Sequence, residues 1–150
     1  MKRFTFRLQH LLHLRESLEK MQGASLGHAD RETGERRITA EESISQLGAA
    51  QDQVHETAND PVAAGMWHTL GLSVEAARIR AELDARDLRE AEDARAVELD
   101  RFNEARAARR VLEKLRERRA ADWTVESGRE ERREHDEITR SRLLDQANKQ

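Results

Sequence analysis

No cysteine occurs among the 150 residues, so neither a disulfide framework nor thiolate chemistry is open to this chain. Tyrosine is missing too, proline occurs once, and aromatic residues make up only 3%. A thick globular core needs more bulky apolar side chains than this. No apolar run approaches the roughly 20 residues of a transmembrane helix. An excess of one charge is equally lacking: 27 basic residues face 30 acidic ones, a net charge of -3. That balance predicts no global pull toward nucleic acid or an anionic membrane, and no direct membrane insertion is expected. Lys2 and Arg3 open the chain, but His10, His13 and Arg15 interrupt any apolar stretch behind them, so no secretory signal is expected. A soluble chain in a reducing cytoplasm fits these absences.

What the chain does have is charge and helix formers. Charged residues account for 38% and the mean hydropathy is -0.93. Disorder is the competing reading for so polar a composition. The abundance of Ala, Leu, Glu and Arg and a helical spacing of apolar residues argue instead for long helices joined along a narrow seam. Leu11, Leu14, Leu18 and Met21 form one stripe at spacings of three and four. Ala40, Ile44, Leu47, Val54 and Ala58 form another that is out of phase with the first. The join passes through Gly23, Gly27 and Gly34, so a stutter with bending or looser pairing is expected there.

The one strong stop is Ala58-Asn59-Asp60-Pro61, where Asp60 can cap a new helix that begins with Pro61. The predicted fold is therefore all-α: a single domain over residues 1–150 with helix one at about 4–58, a turn at 59–61 and helix two at about 62–145. Folded back, the two long helices make an antiparallel coiled-coil hairpin. Leu11, Leu14 and Leu18 are expected to pair with Leu112, Leu115 and Trp123 and to close the end that carries both termini.

Helix two carries two apolar stripes. Leu70, Val74, Ala77, Ala81 and Leu88 form one; Leu72, Ala76, Ile79 and Leu83 form the other. At about 100° per residue, Leu72 lies roughly 200° from Leu70. One partner helix covers only one stripe. The other is exposed, packed in an oligomer, or reserved for a partner.

Motifs for catalysis are not found. His10 and His13 have a spacing that could share a metal, but Arg15 opposes a cation and solvated histidines are the better reading. His55-Glu56 lacks the second histidine of a zinc-protease helix. Acidic pairs such as Glu41-Glu42 and Glu130-Glu131 lack a concave site that would tune them, so they read as solvated faces. No catalytic residue, metal or cofactor is predicted. The arginine run at 106–119 is more informative, because arginine favours fork-like pairing with carboxylates or phosphates. It superficially resembles the basic region of a leucine-zipper protein, but no leucine heptad follows it and no asparagine is placed to read bases. An acidic protein partner fits better than nucleic acid, with a merely solvated face as the bland alternative.

Phe-x-Phe-Arg-Leu-Gln-x-Leu-Leu-x-Leu-Arg-Glu at 4–16, Val-Leu-Glu-Lys-Leu-Arg-Glu-Arg-Arg at 111–119 and Glu-x-x-x-x-Asp-Glu-Ile at 131–138 resemble the flagellar export protein FliJ family in order and separation. Thr139, where alanine is common in the family, and the glycines of helix one are departures. The resemblance implies a cytoplasmic component of the flagellar type III export apparatus, peripheral at the inner membrane at the flagellar base. It implies a non-enzymatic stalk that inserts its terminal end into a hexameric export ATPase, activates it, and contacts an export gate membrane protein. Export chaperones are a further implied partner. On this sequence the ATPase-facing residues would be Arg109, Arg110, Arg116 and Arg119, and the gate-facing ones Leu72, Ala76, Ile79 and Leu83. An injectisome stalk or a generic coiled-coil scaffold is the alternative.

Overall fold

The computed structural model describes the backbone of residues 3–57 and 65–147, and the side chains of that set up to residue 142. Two α-helices account for nearly all of it: α1, Gln9–Thr57, and α2, Trp67–Ala147. The expected turn at 59–61 lies outside the described residues. The fold class is all-α, an antiparallel helical hairpin of two long helices. Helix α1 begins at Gln9, later than the start near residue 4 expected from the sequence. The reason is local: the Phe4 ring lies 6.1 Å from that of Trp123 at an interplanar angle of 55°, which holds the first residues in a non-helical lead. The Gln9 amide then donates to the Phe6 carbonyl at 3.0 Å and starts the helix.

The chain divides into two compact units, one of residues 1–18 with 106–150 and one of residues 19–105. In the 19–105 unit, residue numbers rise on α1 as they fall on α2. Asp30 pairs with Arg95, Thr33 reaches Ala91, and Arg36 meets Asp87 at 3.7 Å. The seam counts in sevens. Leu26, Thr33, Ala40, Leu47 and Val54 are buried or half-buried on α1, with Ala29, Ser43 and Ala50 between them. Leu70, Ala77, Asp84, Ala91, Glu98 and Ala105 answer on α2, interleaved with Val74, Ala81, Leu88, Arg95 and Phe102.

Counting back from Ala40 in the same sevens gives Leu26 and Leu12, so the expected stutter is absent from the seam. The apparent phase shift arose from reading Leu11, Leu14, Leu18 and Met21 as the seam, whereas the buried residue of that turn is Leu12, 1% exposed. Gly23, Gly27 and Gly34 lie in uninterrupted helix. Gly23 faces Phe102 across the seam, and a Cβ there would meet the ring at 3.5 Å, an ordinary van der Waals contact.

Small residues dominate this seam, and they let the backbones come close. The Thr33 hydroxyl, 5% exposed, lies 2.8 Å from the Ala29 carbonyl of its own helix and 3.2 Å from the Ala91 carbonyl of the other. A side chain that short touches a facing backbone only across a tight interface. The other buried hydroxyl, Ser43, donates to the Ala40 carbonyl at 3.0 Å, so both polar groups are satisfied inside the seam.

Candidate protein-docking surfaces

In the terminal unit, Leu12 is the buried anchor, and Phe4 and Trp123 form its aromatic pair. Leu18, Leu112, Leu115 and Trp123 are half-buried. Leu11 and Leu14, expected in the seam, are instead 37% and 55% exposed and correct that expectation. The Leu11-Leu12 doublet offers two helical faces. Only the face that stays in register with Ala40 is covered. Leu11, Leu14 and Leu18 therefore run as an apolar stripe beside the seam, with Arg7 and Arg15 four residues before and after Leu11 on the same side.

The four arginines singled out by sequence fall into two sets. Arg109 is half-buried and its guanidinium pairs with the Glu113 carboxylate one turn on. Arg110, Arg116 and Arg119 are exposed, and among the described residues none of the three has an ion-pair partner. A cation held in a pair has already exchanged part of its hydration, so the exposed three are the ones an external anion meets first.

In the 19–105 unit the two stripes of α2 separate as their angular offset requires. Leu70 and Ala81 are buried, and Val74, Ala77 and Leu88 half-buried. Leu72, Ala76, Ile79 and Leu83 are all exposed, with Ile79 and Leu83 lining a shallow open groove together with Ala76, Arg80, Asp84, Arg86 and Asp87. Beside the stripe, Arg78 donates from Nη2 to Glu75 at 2.7 Å and lies 3.6 Å from Glu82. That hydrogen bond holds the Glu75 carboxyl below the usual glutamate range and raises Arg78.

Charge is partitioned between the units. The terminal unit holds 17 basic and 11 acidic residues, the 19–105 unit 10 basic and 19 acidic, so net charges of +6 and -9 make up the total of -3. The near-cancellation of signs in the whole chain conceals this partition. Among the described residues no three His, Asp or Glu side chains converge on a metal position, and His13 instead meets Gln9 at 2.8 Å. No helix among them is long and apolar enough to cross a membrane. What the surfaces can do is bind: one is basic with exposed arginines, the other acidic with a bare apolar stripe.

Residues 4–148 match the family described as the flagellar FliJ protein. No curated protein and no solved structure matches the chain.

Proposed function

The chain belongs to the flagellar FliJ family, components of the flagellar export apparatus, and on that premise we propose that it is a non-enzymatic stalk and adaptor within that apparatus. In this reading the terminal unit inserts into the hexameric export ATPase and promotes its activity. Arg110, Arg116 and Arg119 face acidic groups of the ring, and Arg109 joins them from its pair with Glu113. The stripe Leu72, Ala76, Ile79 and Leu83 contacts the export gate membrane protein, and export chaperones dock on the same molecule. The site of action is the cytoplasmic face of the inner membrane at the flagellar base. A family shared with flagellar export favours this over an injectisome stalk or a generic scaffold.

The observation that carries the reading is the terminal unit's net charge of +6, with three exposed and unpaired arginines on one short stretch of α2. Reversing two of them is the test. Arg116→Glu with Arg119→Glu leaves helicity by circular dichroism intact, because both side chains are exposed. The same protein loses capture by purified export ATPase and no longer raises its turnover. Undiminished capture refutes the assignment.

A further inference from the structure

We propose that this protein pairs with a second copy of itself, the basic terminal unit of one copy docking on the acidic 19–105 unit of the other. The pairing rests on no assumption about export partners. It follows from two matches between surfaces already described.

The first match is charge. Units of +6 and -9 on one chain attract across copies, while terminal unit against terminal unit, or acidic unit against acidic unit, repels. Only the crossed arrangement is favourable. The second match is apolar. The terminal unit exposes Leu11 and Leu14 beside half-buried Leu18, flanked by Arg7 and Arg15. The acidic unit exposes Leu72, Ile79 and Leu83 on one face of α2, among the carboxylates Glu75, Glu82, Asp84, Asp87 and Glu90. Those five acids exceed the neighbouring Arg78, Arg80, Arg86 and Arg89 by one, so the attraction comes from the field of the whole acidic unit rather than from the rim of the stripe. Each stripe repeats at spacings of three and four, as a helix needs to seat its side chains between those of another helix.

Neither match is sufficient alone. Two short stripes bury less than the roughly 1,000 Å² of a stable interface, and exposed charges are screened by salt. Together they give an association that is specific in orientation, reversible and salt-dependent. The crossed pairing covers the Leu72–Leu83 stripe and part of the basic unit at once, so it is a resting form whose surfaces open when the copies separate.

Sedimentation of the full chain tests this. The wild type self-associates with concentration at about 0.1 M salt, and its dissociation constant rises at least tenfold at about 1 M, where the Debye length falls from about 10 Å to about 3 Å. Leu11→Ser with Leu14→Ser, and separately Leu72→Ser with Ile79→Ser, each stay monomeric. Mixed one to one, the two variants associate, because one supplies an intact acidic-unit stripe and the other an intact terminal-unit stripe. Circular dichroism checks that both remain helical, and the salt series on the wild type stands independently of them. A wild type that is monomeric throughout, an association that ignores or strengthens with salt, or a mixture that fails to associate overturns the proposal. A monomeric wild type whose Leu72→Ser, Ile79→Ser variant loses a membrane-protein partner instead assigns the stripe to that partner.

Discussion

Truncating Leu12 tests whether the seam of the terminal unit has been placed on the correct helical face. Leu12 is 1% exposed, while its neighbour Leu11 is 37% and Leu14 is 55% exposed. Leu12→Ala removes three carbons' worth of buried side chain, about 2.4 kcal/mol at about 0.8 kcal/mol per methylene. A residual cavity adds to this, although a position close to the start of a helix can partly collapse, so the total is about 2.5–3 kcal/mol. That is a shift of roughly a hundredfold in the unfolding equilibrium. Leu11→Ala and Leu14→Ala trade an exposed side chain for a better helix former and change stability by about 0.5 kcal/mol or less. Trp123, in contact with Phe4, reports the unit directly by fluorescence during urea unfolding, with Trp67→Phe removing the other indole. Equal losses from Leu11→Ala and Leu12→Ala, or a larger loss from Leu11→Ala, refute the heptad assigned to α1.

Two further perturbations read the helices themselves. Nothing lies within 4 Å of a Cβ added at Gly27 or Gly34, so Gly27→Ala and Gly34→Ala each raise stability by about 0.5–1 kcal/mol and add together; thermal unfolding checks this, and a loss at either position means the helix is locally distorted there. Glu75 titrates below the ordinary glutamate range because its hydrogen bond from Arg78 stabilises the ionised form. Its contribution is present above the unfolded pKa and is lost as pH falls through the lower folded value, and Arg78→Gln returns its carbon chemical shift to an ordinary titration.

Much of the architecture was legible in the residues because long helices need only local signals. Leu70, Val74, Ala77, Ala81 and Leu88 repeat cleanly enough that their covered face, and the bare face of Leu72, Ala76, Ile79 and Leu83, follow from angle alone. The start of α1 misled for a physical reason. Hydrophobicity ranks Leu11, Leu14 and Leu18 as a core, but burial is decided by what faces a residue, and Leu12 is the one the packing covers. Thr33 and Ser43 were invisible as seam positions because their type says surface, while a tight interface accepts a short hydroxyl bonded to its own helix. The arginine pairing was likewise beyond the sequence: Arg109 and Arg110 are adjacent in the chain, yet only Arg109 turns to a half-buried carboxylate pair. The charge partition needed the division into units, since the opening and closing segments join one body.

The seam and the surface of this protein invert the usual placement of bulk. Among the described residues the buried apolar ones are Leu12, Leu70 and three alanines, whereas Leu11, Leu14, Ile44, Leu72, Ile79, Leu83, Val111 and Val125 are exposed. Alanine inside costs little side-chain entropy and lets helices approach closely, so pairing does not depend on large side chains. Large apolar residues outside then add little to the stability of the single chain. They also carry a solubility penalty that a folded monomer gains nothing from tolerating, which is the physical argument for reading them as surfaces meant to be covered. The charges refine that argument, because an apolar stripe set in a basic unit and another set in an acidic unit cannot suit the same partner surface. Each stripe selects its own complement, and the electrostatic field of its unit decides which partners arrive in the right orientation before any apolar contact forms.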